Sequence, residues 1–202
     1  MRQRISAKSR LAPVEKLRCG KRRRIVVLGI FALALAGCAP RGAQPARLGL
    51  KLAPAALGAS ISLQQHLTVE REGRIDELDA ALEVDAEQVD LVLLALGRRV
   101  LAVRYDGKTL DAWRHPQLPS QLRVEDVLED LQLTLWPADA IRKALPGGWQ
   151  IEENDLRRTL LLNGAPVMVI EYSGEPRWSG KVVLSNLRYR YRLTIESVSN
   201  GS

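Results

Sequence analysis

The chain has few of the residues on which most enzyme active sites depend. Among its 202 residues are two cysteines, two histidines and a single phenylalanine, and aromatic residues make up only 4%. It also lacks a long hydrophobic run. The longest, residues 25–36, is well short of the roughly 20 apolar residues that a membrane-spanning helix needs. A permanent transmembrane helix and a site rich in cysteine or histidine are therefore both disfavoured.

The candidate catalytic residues do not form a known catalytic pattern. Residues 58–62 miss the G-x-S-x-G elbow of serine hydrolases. Residues 107–109 resemble the end of a P-loop, but Ala102 stands where its first glycine belongs. Neither His66 nor His115 has carboxylates at metal-ligand spacing. We therefore expect no enzymatic activity, no metal and no cofactor. An esterase or acyltransferase is the least favoured alternative.

Positive charge is concentrated at the start of the chain. Residues 1–37 hold ten of the 30 lysines and arginines but one of the 23 acidic residues. Four consecutive cations, residues 21–24, precede the apolar run, which ends in the letters LAGC. This order is typical of a secretory signal, and its last four residues resemble the lipobox of bacterial lipoproteins. We predict a signal peptide over 1–37, cleavage between Gly37 and Cys38, and a lipid anchor on Cys38. A plain signal peptide with an incidental cysteine is the alternative.

Removal of the signal changes how the composition is interpreted. The remaining chain has 20 basic and 22 acidic residues, so the high isoelectric point does not indicate a nucleic-acid-binding protein. Cys19 leaves with the signal and Cys38 carries lipid, which excludes a disulfide. Residues 38–59, rich in proline and glycine, are predicted to be a lipidated tether, with Leu48, Leu50 and Leu52 beginning to pack on the domain. By resemblance to Gram-negative lipoproteins, Ala39 in place of aspartate favours the outer membrane.

Residues 60–202 are predicted to form one α+β domain. Apolar alternation predicts a strand meander over 60–113, with a two-residue hairpin turn at Asp106-Gly107. Helical spacing follows over 124–135, with Glu125, Asp126, Glu129 and Asp130 on the polar face, and a second short helix spans 138–145.

Strands resume at Trp149, with a second hairpin at Asn163-Gly164. One strand is predicted over residues 181–197, with Tyr189 and Tyr191 on one face and Arg188, Arg190 and Arg192 on the other. A sheet interrupted by a helical pair could curl around the helices into a half-barrel with an apolar interior.

Several short segments carry a family resemblance. They are LQLTLWP at 131–137, Gly148-Trp149 before a strand, VVLSN at 182–186 and YRLTI at 191–195. In these the chain resembles the DUF3261 family of bacterial lipoproteins. That family has no established activity, and its members often sit in gene clusters for aryl polyene lipids. Its pattern is similar to the lipoprotein receptor LolB and the carrier LolA. The resemblance implies an antiparallel half-open β-barrel whose concave face is covered by a helical hairpin, with a hydrophobic cavity for acyl chains.

The resemblance also implies a function. We expect a monomeric lipoprotein on the periplasmic face of the outer membrane that binds an acylated lipid or lipoprotein and cooperates with a periplasmic carrier protein. LolB has a protruding loop with an exposed leucine, for which Leu118 is the candidate here. The expected cavity-lining residues are Leu101, Val103, Tyr105, Trp113, Trp136, Trp149, Met168, Ile170, Tyr189 and Tyr191.

Two alternatives follow from the residues alone. The aromatic residues could form an ordinary core, in which case the protein would be a scaffolding lipoprotein of a lipid biosynthesis or export system. Arg188, Arg190 and Arg192 could meet lipid phosphates or an acidic partner, or form a solvated face.

Overall fold

The computed structural model describes residues 47–120 and 122–199, which belong to one compact unit, Gly42–Ser202. The predicted signal peptide, Cys38 and residues 38–46 of the tether lie outside the described residues. The strands are β1 (Ile61–Arg71), β2 (Arg74–Val84), β3 (Val89–Ala95), β4 (Arg98–Tyr105), β5 (Leu110–Arg114), β6 (Trp149–Asn154), β7 (Arg157–Leu162), β8 (Ala165–Tyr172), β9 (Gly180–Asn186) and β10 (Tyr191–Ser199). The α-helices are α1 (Val124–Leu135) and α2 (Ala138–Ala144), and a 3-10 turn spans Pro54–Leu57.

All ten strands form one antiparallel sheet in the order β5-β4-β3-β2-β1-β10-β9-β8-β7-β6. Each strand therefore pairs with its sequence neighbour, except that β1 and β10 meet in the middle of the sheet. The outer strands β5 and β6 are joined by the two helices rather than by a ladder, so the sheet is open. The prediction of an antiparallel α+β fold is confirmed at this level.

Short turns of defined chemistry connect most strands. At Glu72-Gly73, Leu96-Gly97 and Asn163-Gly164 both central residues have positive φ, as two-residue type I′ hairpins require. The turn predicted at Asp106-Gly107 is different. Residues 106–109 form a four-residue connection in which the Asp106 carboxylate accepts hydrogen bonds from the Lys108 and Thr109 amides. The prediction of a two-residue turn there was wrong, because an aspartate that caps its own turn does not need the positive-φ pair.

The single strand predicted over residues 181–197 is in fact two strands. β9 ends at Asn186 and β10 begins at Tyr191. Between them the Asn186 side chain accepts hydrogen bonds from the amides of Arg188 and Tyr189, and Arg190 adopts positive φ. Alternating apolar and charged residues hid this turn, because the alternation continues straight through it.

The hydrophobic core lies between one face of the sheet and a layer made of α1, α2 and residues 47–58, called the strap below. Leu50, Leu52 and Leu57 of the strap are buried in this core. The predicted packing of Leu48, Leu50 and Leu52 is confirmed, and the domain therefore includes residues that the tether was expected to contain. Among the described residues, the core extends from Leu50 to Ile195, so a chain of residues 39–202 contains this core and is expected to fold by itself.

Helix α1 is buried on two sides. Leu128, Leu133 and Leu135 belong to the core, while Glu129 and Gln132 are buried under the strap. Glu129 lies on the predicted polar face, but its side chain is buried because the strap covers that side of the helix. Among the described residues, no helix is long and apolar enough to cross a membrane.

Candidate functional site

Most of the predicted cavity residues lie on the covered face of the sheet. Strand alternation points Leu101, Val103 and Tyr105 of β4 into the core, and Met168 and Ile170 of β8 do the same from the other half of the sheet. Trp136, at the end of α1, is fully buried among them. Six predicted residues, from two distant strands and a helix, thus meet in one apolar interior.

The other four predicted residues lie at the margin of this interior or outside it. Trp149 and Tyr191 are partly buried against the core. Trp113 is 43% exposed on edge strand β5, with the Arg99 guanidinium 4.7 Å from its ring centroid. Tyr189 lies in the β9–β10 turn, 4.4 Å from the guanidinium of Arg47. Trp113 and Tyr189 therefore do not line the interior, since one is on the exposed edge and the other follows the end of β9.

The interior is filled by side chains. Trp136, Leu101, Tyr105 and Leu184 have no exposed surface. Four buried side-chain atoms of the described residues have no hydrogen-bond partner: three are arginine nitrogens, of Arg47, Arg114 and Arg158, and the fourth is the hydroxyl of Tyr105. Burial raises the pKa of this phenol. An unpaired hydroxyl in an apolar interior costs roughly 1–3 kcal/mol, and it marks a point where a ligand oxygen or a water molecule would be stabilised.

Polar contacts attach the strap to helix α1. The Glu129 carboxylate accepts hydrogen bonds from the amides of Gly49 (2.7 Å) and Leu50 (3.4 Å). Gln132 both accepts from the Leu52 amide (3.0 Å) and donates to the Leu52 carbonyl (2.9 Å). Three side chains make these contacts with the strap, at positions 129, 132 and 136, and their spacing places them on one face of the helix.

The Trp136 indole completes this attachment, donating to the Ala53 carbonyl at 3.1 Å. Side chains of one helix face thus satisfy the backbone of an extended segment that has no strand beside it.

Arg47 joins the start of the strap to α1 and β10. Its guanidinium lies 3.1 Å from Asp130 and 3.5 Å from Asp126. The Tyr191 hydroxyl donates to the other oxygen of Asp130. Burial raises the pKa of Asp130 to about 6, although Arg47 and Tyr191 act in the opposite direction. Burial likewise raises the pKa of Glu129.

A second buried polar group holds the far end of α1. Arg158 of β7 is 1% exposed and donates to the Leu133 and Thr134 carbonyls. Tyr172 donates to the same Thr134 carbonyl at 2.8 Å. Because these carbonyls end the helix, both side chains satisfy acceptors that have no partner within it, and the cation also opposes the negative end of the helix dipole.

Glu153 of β6 balances this charge. It accepts from Arg158 Nε at 2.7 Å and from Arg177 at 2.6 Å. Arg158 and Arg177 also line a depression of about 440 Å³ beside α2. The depression is at the rim of the covered face, outside its apolar interior.

Sequence reasoning missed these polar anchors, although part of the signal was present. Arg158 alternates in phase with Leu160, whose side chain is buried, so period-2 alternation would have placed the arginine on the covered face. No sequence pattern pairs Glu129 or Gln132 with the strap, because their partners are backbone atoms about 80 residues away.

The two histidines are on separate parts of the surface. His66 of β1 faces Asp79 across the β1–β2 ladder, with 3.1 Å between Nδ1 and the carboxylate, and this hydrogen bond raises its pKa. His115 accepts from the Gln117 amide in the turn after β5. In the part of the chain that the structure describes, no group of His, Cys, Asp or Glu has the arrangement of a metal site.

Comparison with protein families gives a clear match. The model "Protein of unknown function (DUF3261)" matches residues 62–199, well over half of the chain. The chain belongs to the DUF3261 family. The family resemblance predicted from residues 131–137 and the C-terminal strands is confirmed, and the match begins at the second residue of β1 and ends with β10.

Other comparisons are less close. No curated protein matches this DUF3261 chain. Among solved structures, it is similar to a chain in the complex of Pseudomonas aeruginosa MucA and MucB, with 19% identity and a TM-score of 0.41. That match covers 74% of this chain but only 55% of the other, so the present chain spans about half the length of that neighbour.

Proposed function

We propose that this protein is a lipid-anchored lipoprotein on the periplasmic face of the outer membrane that binds acyl chains and assists the delivery of a lipid or lipoprotein to that membrane. Aryl-polyene-type lipids are the cargo class that the family resemblance implies. The interior of a half-open, LolB-like barrel would hold the acyl chains. The protein would act without catalysis, receiving its cargo from a periplasmic carrier protein.

The construction of the covered face carries this proposal. The apolar interior lies between the open sheet, whose outer strands β5 and β6 do not pair with each other, and a separate cover made of the two helices and the strap. Polar contacts hold this cover in place. Glu129 and Gln132 attach the strap to α1, and Arg158 of β7 attaches the end of α1 to the sheet. If the cover shifts, the apolar face becomes available to an acyl chain, and each buried methylene contributes about 0.8 kcal/mol.

The unpaired Tyr105 hydroxyl supplies a polar handle within this interior. Acyl-binding sites are mostly apolar with a few polar groups that orient the ligand. A carboxylic acid or ester oxygen could accept the Tyr105 hydrogen bond, which would remove the cost of an unsatisfied donor. The hydroxyl therefore favours an acyl ligand over a plain hydrocarbon.

An exposed leucine supports the likeness to LolB. Leu118, the residue expected in a protruding loop, is half-buried and packs against the core. Leu96, by contrast, is fully exposed at the tip of the β3–β4 hairpin and has positive φ. Such a backbone conformation is costly for leucine and suits asparagine or glycine. An apolar side chain kept there at a cost to stability suggests contact with lipid.

Acyl binding is tested with a protein of residues 39–202, by measuring the uptake of a fluorescent fatty acid and its displacement. We expect uptake by the wild type and about ten-fold weaker binding by Tyr105→Phe, because the ligand loses one hydrogen bond. Tyr172→Phe is the matched control. It loses the bond to Thr134 and some stability, but should bind the probe like the wild type. Absence of uptake, or equal loss in both variants, would contradict the proposal.

A non-catalytic scaffolding lipoprotein is the second candidate, and the filled interior favours it. If the core never opens, fatty acid will not bind. Mass spectrometry of the gently purified protein would then detect no bound lipid, and capture of biosynthetic or export proteins would be expected instead.

A further inference from the structure

The antiparallel meander divides the connections between strands into two sets. The β1–β2, β3–β4, β7–β8 and β9–β10 turns lie at one end of the sheet. Arg71 pairs with both Arg74 and Tyr191, and Tyr191 pairs with Asn186, which brings the first and last of these turns together. The β2–β3, β4–β5, β6–β7 and β8–β9 connections lie at the opposite end.

Charge is distributed unevenly between these two ends. Three turns of the first end hold seven arginines within two residues of the turn or inside it, and we call this surface the arginine end. The opposite connections carry mainly carboxylates. The arginine end comprises Arg71, Arg74, Arg98, Arg99, Arg188, Arg190 and Arg192. By the same criterion the arginine end holds two carboxylates, Glu70 and Glu72, whereas the opposite end holds ten acidic and six basic residues, the acidic ones including Asp85, Glu87, Asp106, Asp155 and Glu175.

Most of these arginines are available to an external anion. Arg71, Arg190 and Arg192 are exposed, and no described carboxylate lies within ion-pair distance of them. They surround a depression of about 510 Å³ between the β1–β2 and β9–β10 turns. Ile75 and Leu187, which are 67% and 51% exposed, line the same depression. Glu70, which pairs with Arg192 across the β1–β10 ladder, and Glu72 also line it. Cations, apolar side chains and two carboxylates are thus interspersed on this surface.

The arginine end is also where the tether meets the domain. Arg47 lies against Tyr189 in the β9–β10 turn and against Asp130, which accepts from Tyr191 at the start of β10. Only residues 39–46 separate it from Cys38. A chain of that length spans at most about 30 Å, so an anchor on Cys38 would keep this end near the bilayer.

We propose that the arginine end docks on anionic phospholipid headgroups and so orients the domain on its membrane. The observations favour a membrane over an acidic protein, because the surface carries the exposed aliphatic side chains Ile75 and Leu187 and adjoins the tether. Arginine pairs well with phosphate oxygens. Each cation near an anionic bilayer contributes about five-fold in affinity. The proposal rests on the membrane location proposed above, not on acyl binding.

Vesicle flotation of residues 39–202 tests this assignment. The test variant combines Arg71→Thr, Arg190→Asn and Arg192→Thr, with asparagine chosen for the positive-φ position. The matched control removes three exposed cations of the other end through Lys108→Asn, Arg157→Thr and Lys181→Thr, giving the same net charge. Vesicles contain either phosphatidylcholine alone or equal parts of phosphatidylcholine and phosphatidylglycerol.

We expect the wild type and the control to bind phosphatidylglycerol vesicles in a salt-sensitive manner and to ignore pure phosphatidylcholine. The test variant should lose at least a hundred-fold in affinity, since three cations are removed. Equal loss in the control, or no preference for the anionic lipid, would overturn the proposal. Fatty-acid displacement measured on the same variants separates the two hypotheses. A variant that loses vesicle binding but takes up fatty acid normally is defective in docking alone. A protein that binds vesicles normally but takes up no fatty acid contradicts only the acyl-binding proposal.

Discussion

Two charged residues, the buried Arg158 and the partly buried Asp130, are held in different ways. The Arg158 guanidinium contacts one carboxylate and two helix carbonyls, so its positive charge is balanced by acceptors of negative or partial negative charge. Asp130 has Arg47 and Tyr191, yet burial still raises its pKa. One residue therefore stabilises a helix end, while the other makes stability depend on pH.

Removal of the Arg158 charge should destabilise the fold. Arg158→Met leaves the Leu133 and Thr134 carbonyls without this donor and Glu153 with Arg177 alone, so we expect a loss of about 3 kcal/mol in the free energy of unfolding. Arg157→Met is the matched control, since its side chain is 57% exposed, and should cost less than about 0.5 kcal/mol. Urea unfolding measures both. Equal losses would mean that the buried contacts contribute nothing specific.

Because of Asp130, the free energy of unfolding should decrease as pH rises. The pKa of Asp130 is about 6 in the folded protein, against about 3.9 for an unfolded aspartate. The folded state therefore binds this proton more tightly, and its stabilising effect is complete below pH ~4 and lost as pH rises to ~6. We expect the free energy of unfolding to fall by roughly 1 kcal/mol per pH unit in that window.

Urea unfolding between pH 4 and 7 checks this pH dependence. Asp130→Asn should remove the part of the slope that Asp130 contributes and leave the part due to Glu129, whose pKa burial also raises, whereas Asp126→Asn, which also loses a contact with Arg47, should keep the full slope. An unchanged slope in Asp130→Asn would show that another group is responsible.

At the scale of elements, sequence periodicity predicted the strands and helices well but failed where side chains bind backbone. Alternation predicted β1 and β2 because burial on one face imposes period 2. The Asn163-Gly164 pair predicted the hairpin between β7 and β8 because both residues tolerate the positive φ of such a turn. Alternation could not predict the β9–β10 turn, which depends on Asn186 accepting two amides. It also missed the strap, because an extended segment that pairs with helix side chains has no periodic pattern.

The strap should loosen when its central attachment is removed. Gln132 is fully buried and makes two hydrogen bonds to Leu52. Gln132→Leu leaves a buried amide and a buried carbonyl unpaired, at a cost of about 2–4 kcal/mol. We expect at least ten-fold faster hydrogen exchange at the Leu52 amide than in the wild type. Gln150→Leu, at an exposed position, should leave both stability and exchange unchanged. Slow exchange in Gln132→Leu would mean that burial alone holds the strap.

At the scale of the whole molecule, an anchor on Cys38 would limit where the domain can act, and only part of the architecture of that domain could be predicted. The family and the open antiparallel sheet could be predicted from sequence, whereas the filling of the interior could not. Six of the predicted cavity residues, such as Leu101 and Met168, lie inside, but alternation cannot distinguish a packed core from a cavity, since both require apolar side chains on one face. The separation of charge between the two ends also depends on strand order, which no local pattern contains.

The two cysteines allow a direct test of the anchor. In cells, Cys38→Ser should abolish incorporation of labelled palmitate and release the protein from the membrane fraction, because the acylated thiol is missing. Cys19→Ser should be labelled like the wild type, since the predicted cleavage removes that residue. Labelling that survives Cys38→Ser, or disappears with Cys19→Ser, would place the lipid elsewhere.

The meeting of β1 and β10 in the middle of the sheet has a consequence for folding order. Strands β1–β5 and β6–β10 form two five-strand groups in which every ladder joins sequence neighbours. Joining the two groups requires residues such as Gln65 and Ser197, 132 positions apart, to come together. Closing so long a loop costs chain entropy before any contact repays it. We therefore expect both groups to form hairpins early and the central ladder, which makes them one sheet, to form last and limit the folding rate.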